Sequence, residues 1–207
     1  MPAFTDLTGL AGVAVAIAAS LLRAPGMMRL APPHRVWMAG AVIVIALIPF
    51  NGFPLAAYVR GATGDLSLTT LVLLGCALMR VTSVRATKCA SAVDCHRHEL
   101  LVLVALGAVL LYPMALGYGT FDPYRLGYGN ALFVYALSAV ALAAWFWKRH
   151  LIALCIALAL LTWAGGGYES DNLWDYLLDP FVSIYAISAL SIQAVKKGFA
   201  KAAPPVR

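Results

Sequence analysis

Apolar residues fill seven stretches of the chain, and polar residues collect in the short segments between them. The stretches run from about Phe4 to Leu22, Val36 to Tyr58, Leu66 to Val81, Leu100 to Leu116, Ala131 to Trp147, Leu151 to Ala164 and Pro180 to Val195. A helix that crosses a bilayer needs about 20 predominantly apolar residues, within a range of about 17–25. The pattern therefore predicts an all-α, polytopic helical bundle with seven transmembrane helices, forming one domain over residues 1–207. The third and sixth helices are short, and cross untilted or extend into the interface.

Charge gives this bundle a direction. With the N-terminus outside, thirteen of the fifteen Lys and Arg fall on inner segments, and only Arg60 and Arg125 remain outside. Seven of the nine acids fall outside, Asp94 and Glu99 being the exceptions. The Lys/Arg bias of short loops sets orientation, so the C-terminus is expected inside. The first helix is expected to remain uncleaved. A secretory signal opens with a positive segment, whereas only Asp6 precedes this apolar run and its basic residues follow it. Gly12, Ala16 and Ser20 recur every four residues along it. Small residues at that spacing allow close helix packing, within the bundle or against a partner chain.

Composition narrows the class further. Hydrophobic residues make up 62% and charged residues 12%, against about 45–50% and about 25% in soluble domains. That excludes a soluble enzyme, a disordered chain and a nucleic-acid-binding domain. The net charge of +6 reads as topology rather than as a site for nucleic acid.

Three outer helix ends are irregular: Pro49 to Pro54, Tyr112 to Gly119, and Gly165 to Gly167. Proline and glycine weaken helices there. Asp65, Asn130 and Asp179 stand where each return helix begins and can cap its free amides. Leu116-Gly117-Tyr118-Gly119 recurs as Leu126-Gly127-Tyr128-Gly129. Potassium filters contain Gly-Tyr-Gly, but the preceding Thr-Val is missing, so two glycine turns are the simpler reading. In the last outer loop Leu173, Trp174, Leu177 and Leu178 fall on one helical face, which predicts a short amphipathic helix in the interface.

Chemistry-bearing residues are few. Cys89, Cys95, His96 and His98 could ligate zinc, yet their spacing fits no usual pattern and basic side chains crowd the loop. No metal and no cofactor is expected. No ionisable residue lies in the middle third of a helix, which argues against pumps, coupled transporters and retinal proteins. The remaining candidates lie on the outer edge, where Arg60, Asp65, Asp122, Tyr124, Arg125, Glu169, Asp171, Trp174 and Asp175 would bind a substrate or partner. Carboxylates accept sugar hydroxyls and aromatic rings stack on sugar faces. Asp122 and Arg125 flank Pro123-Tyr124, and this turn is expected to tuck inward with Arg125 poised for an anion. The expectation is a small subunit of a bacterial-type inner-membrane assembly serving the cell envelope. It would hold another membrane chain or present a lipid-linked substrate, and no nucleic acid. An enzyme or flippase acting on a polyprenyl- or phospholipid, and a passive channel or permease, are the alternatives.

Overall fold

The computed structural model describes residues 4–82 and 87–202, with side chains described over 5–82 and 96–197. The protein is all-helical, with 77% of residues in helix. The helices are α1 (Phe4–Leu21), α2 (Pro32–Leu47), α3 (Leu55–Thr63), α4 (Leu68–Thr82), α5 (Thr87–Ala115), α6 (Ala131–Phe146), α7 (His150–Ala164), α8 (Leu173–Leu177) and α9 (Pro180–Ala202). On length and composition one described stretch, His96–Ala115, is long and apolar enough to cross a bilayer. The apolar helices α1, α2, α4, α6 and α7 have 15–18 residues. At a rise of about 1.5 Å per residue the shortest of them reaches about 23 Å.

Long helices run back and forth, so their connections gather at two ends. At one end the loop before α4 meets the segment around α8: the Tyr168 hydroxyl donates to the Leu66 carbonyl at 2.7 Å. At the other end Arg35, in α2, donates to the Val81 carbonyl in α4 at 3.1 Å. Arg149, entering α7, bonds Glu99 in α5 there. The closest neighbours are α6 with α7, α1 with α2, α5 with α9, and α1 with α4.

Side-chain size is distributed against the habit of water-soluble proteins. The interior holds many alanines, among them Ala14, Ala18, Ala46, Ala56, Ala159 and Ala186, together with Ser67, Thr70, Asn172, Asp179 and Ser183. Many large apolar side chains also point outward: Trp37 is 80% exposed, Leu132 78%, Phe146 79% and Leu161 70%. Small residues let helix backbones approach closely.

Several expected boundaries change. The second apolar stretch is not one helix to Tyr58: α2 stops at Leu47, and Pro49–Phe50 pairs antiparallel with Phe53–Pro54. Asn51 and Gly52 both take positive φ, 54° and 95°, the backbone of a two-residue hairpin turn. The polypeptide then re-enters helix as α3. The segment expected as an inner loop, from Lys88 to Glu99, is helical, because α5 begins at Thr87. Ser67, not Asp65, caps α4, accepting from the Thr70 amide at 3.2 Å. Asn130 caps α6 as expected, accepting from Phe133 N at 3.2 Å. On α1 the buried residues include Val13, Ala14, Ala18, Ala19 and Leu22. Gly12 meets Leu71, to which an added Cβ would come within 3.0 Å. Ala16 and Ser20 line a cavity.

Candidate functional site

The outer-edge candidates converge at the α8 end, in two neighbouring constellations. The first is built on Arg60. Residues of α3 divide by face: Leu55, Val59 and Thr63 line one cavity, while Ala57, Arg60 and Gly61 line another. Arg60 projects from the second face. Its Nε and Nη2 donate to the two carboxylate oxygens of Asp65 at 2.6 and 3.0 Å, a bidentate fork with the geometry of a strong charge-assisted pair. Nη1 donates to Asp6 at 2.9 Å and Nη2 to Glu169 at 3.3 Å. The fork with Asp65 is the main reason the guanidinium pKa rises above its ordinary value; Asp6 and Glu169 add to it against the opposing effect of burial.

The approach of α3 to α1 depends on Gly9. A Cβ there would lie 2.4 Å from Asp65 Oδ1 and 2.6 Å from Arg60 Nε, so no larger residue fits without displacing the pair. Beside the fork lies a pocket of about 530 Å³ lined by Asp6, Leu10, Phe53, Pro54, Arg60, Asp65 and Glu169, among others. Three carboxylates around one guanidinium make it net negative. Glu169 keeps 69% of its side chain exposed, so its carboxylate is accessible to a ligand.

The second constellation joins the proline turn to α8. Asn172 caps α8 by accepting from the Trp174 amide at 2.9 Å, and its Nδ2 donates to the Tyr124 carbonyl at 3.0 Å. Trp174 Nε1 donates to the Pro123 carbonyl at 3.0 Å. The Tyr124 hydroxyl donates to the Asp175 carboxylate at 2.9 Å, and Ser170 donates to the same group. Burial, then the hydrogen bond to Asp175, pushes the Tyr124 phenol above its ordinary range. Gly127 permits this docking, since an added Cβ would fall 1.7 Å from Asn172 Oδ1. Tyr176 is buried, stacks on Tyr168 at 4.8 Å between centroids, and donates to the Ser170 carbonyl at 3.0 Å. So the expected short helix forms, and α8 packs into the protein as a plug through Leu173, Tyr176 and Leu177.

Asp179 holds the plug's far side. It is 4% exposed and accepts from Val182 N at 2.8 Å, Ser67 N at 2.8 Å and Thr70 Oγ1 at 2.5 Å. One carboxylate thereby satisfies free amides at the starts of both α9 and α4.

The structure brings Arg60, Asp65 and Glu169 together, and separately Tyr124, Trp174 and Asp175. Asp122 serves as a local cap, accepting from Tyr124 N at 3.0 Å. The inward tuck of the turn is carried by Tyr124 and Gly127; Arg125 is exposed, and among the described residues no ion pair joins it to Asp122. Asp171 contributes its backbone carbonyl to Trp163 Nε1 at 2.8 Å, while the residue itself is exposed. Sequence reasoning missed Asp6, Gly9, Ser170 and Asn172 as members of the network. Asn172 stands one residue before α8, the position where Asn is favoured as a cap, and that signal was available. Among the described residues no three His, Cys, Asp or Glu side chains form a metal-binding group. His96 meets Arg149 at 3.0 Å and Glu99 at 3.7 Å; His98 is exposed. The side chains of Cys89 and Cys95 lie outside the described residues.

Comparison with protein-family models, with curated proteins and with solved structures finds no match to this chain. Its function must therefore be argued from its own residues.

Proposed function

We propose that this protein is a small integral subunit of an inner-membrane assembly serving the cell envelope. Seven helices would cross the bilayer with the N-terminus outside, and the α8 end would present a lipid-linked substrate to a partner chain. Supporting the membrane reading are the outward-facing Trp37, Leu132, Phe146 and Leu161 and the alanine-rich interior. An apolar exterior of that extent has no stable place in water. The Lys/Arg distribution supports the orientation.

The observation that carries the functional reading is the acidic pocket beside Arg60. Glu169 offers its carboxylate toward solvent, Asp6 and Asp65 are held by the guanidinium, and Phe53 with Pro54 supplies an apolar wall. Acceptors opposite an apolar wall suit a hydroxyl-rich head group, whose hydroxyls donate while its apolar face packs on the wall. The polyprenyl or acyl tail would stay in the bilayer. The test is native mass spectrometry with a polyprenyl-diphosphate sugar and the sugar-free polyprenyl phosphate. Glu169→Gln should weaken retention of the sugar-bearing lipid about ten-fold, the loss of one hydrogen bond to a charged acceptor of about 1.5 kcal/mol, and leave the sugar-free lipid unchanged. Equal retention of both by the wild type would overturn the reading. Purification in mild detergent should yield a stoichiometric partner, and a lone chain from native membranes would overturn the subunit assignment.

A further inference from the structure

Two spaces meet at the end of α1 remote from α8. One is an apolar cavity of about 690 Å³ between α1, α3, α4 and α9. The other is a small crevice lined by Arg23, Leu73, Cys76, Ala77, Arg80 and Arg97. Arg23, Leu73 and Arg97 line both, so the two adjoin. Along α1 the cavity extends from Val13 to Arg23, about 15 Å at about 1.5 Å per residue. Elsewhere its lining reaches Leu66, Thr70 and Phe181 toward the α8 end, so the cavity is at least as deep as one leaflet, about half of a hydrocarbon core of about 30 Å. Val13, Ile17, Val59, Leu73, Leu74 and Val182 are among its wall. Leu21, Leu55, Phe181 and Tyr185 also line it and are exposed, so it opens sideways.

Among the described residues, the charges where the two spaces adjoin are of one sign. Arg97 donates to the Tyr185 hydroxyl and lies with its guanidinium 5.7 Å from that ring's centroid. Tyr185 thus orients Arg97 toward the cavity without neutralising it. Arg23 follows α1 and is exposed. None of the described residues lining either space is acidic. Two other arginines at this end are differently placed. Arg35 donates to the carbonyls of Leu30, Met28 and Val81, and Arg149 is bonded to Glu99.

We propose that an anionic phospholipid of the adjoining leaflet binds here, its phosphate between Arg23 and Arg97 and one acyl chain in the cavity. The guanidinium fork matches phosphate oxygens. Basic pockets between spanning helices on the cytoplasmic side recognise anionic head groups. The cavity supplies what a free anion would not use, an apolar slot of leaflet depth. This inference rests on the membrane reading and not on the pocket beside Arg60.

The experiment is native mass spectrometry of the detergent-purified protein titrated with dioleoyl phosphatidylglycerol and with dioleoyl phosphatidylcholine. Phosphatidylglycerol should be preferred. Arg23→Gln and Arg97→Gln should each weaken it about five-fold, the equivalent of about 1 kcal/mol per basic residue at a membrane surface, with little effect on phosphatidylcholine. Ala16→Phe, which fills the slot and leaves both arginines, should weaken both lipids. Glu169→Gln should alter neither, which separates this site from the acidic pocket. Arg23 is exposed, so its variant carries the test alone if Arg97→Gln does not fold. The proposal is overturned if the wild type shows no preference for phosphatidylglycerol. It is equally overturned if Arg23→Gln binds that lipid as the wild type does, or if millimolar inorganic phosphate displaces it.

Discussion

The two ends of the bundle use charge in opposite ways. At the α8 end Arg60 is forked to Asp65, Asp175 is bonded to Tyr124 and Ser170, and Asp179 caps two helices. Polar groups there hold short, irregular pieces together: a two-residue hairpin, α3, a proline turn and α8. At the other end Arg23 and Arg97 border an apolar cavity, and none of the described residues lining it is acidic. Where the backbone is broken, charge works as glue between pieces that have too few apolar contacts of their own. Beside the apolar cavity, charge is available for orientation and for binding.

The largest effect expected from breaking the glue is at Asp179. Asp179→Ala removes the acceptor for three donors in a site that is 4% exposed. Hydrogen bonds to charged groups contribute about 1.5–3 kcal/mol each, and buried orphan amides add their own cost, so a loss of about 3–6 kcal/mol is expected. Asp179→Asn should lose less. Thermal unfolding in detergent, followed by circular dichroism, gives the ranking. Next comes the contrast between two arginines of the same end. Arg60→Ala leaves Asp65 unpaired at a side chain 19% exposed and should cost about 3 kcal/mol, the low end for breaking a buried pair. Arg125→Ala should stay within about 0.5 kcal/mol, as for other exposed sites. Equal effects at the two positions would remove the distinction between glue and surface charge.

Gly127→Ala tests whether the turn must dock on α8. The added methyl meets Asn172 and should cost about 1–3 kcal/mol, as overpacking does, while increasing proteolysis between α5 and α6. The smallest effect is in pH. Burial raises the phenol pKa of Tyr124 and Tyr168 above its ordinary value. A group whose folded pKa is raised contributes fully below its unfolded value and loses that contribution as pH climbs above it. Stability should hold through neutrality and fall above about pH 10, less steeply in Tyr124→Phe, with the melting temperature measured against pH.

Helix positions were legible because apolar stretches and their Gly, Pro and Asn borders lie in sequence. The predicted stretches Ala131 to Trp147 and Leu151 to Ala164 differ from α6 and α7 by one residue at an end. The α2–α3 break is not visible in the apolar pattern, where Pro49 to Pro54 suggests only a loosened helix end. Asn51-Gly52 between Phe50 and Phe53 is a strong hairpin signal, and the flanking prolines hid it by suggesting irregular backbone. The membership of the polar clusters was legible in part. Charge sorted Arg60, Asp65 and Glu169 to one end, yet it could not pair them, because Asp6 and Glu169 are 163 residues apart. The emphasis on Arg125 over Tyr124 arose from counting charge. Burial chose the tyrosine, whose ring fills space while its hydroxyl reaches Asp175.

The central claim is that these unlike ends face opposite sides of a membrane. Fusions to alkaline phosphatase, which is active only outside the cytoplasm, measure this directly. Activity is expected after Arg60, Arg125 and Asp171, and none is expected after Arg29, Lys88, Arg149 and Lys201. Phosphatase activity at Lys88 or Arg149 would place both ends on the same side and contradict the account.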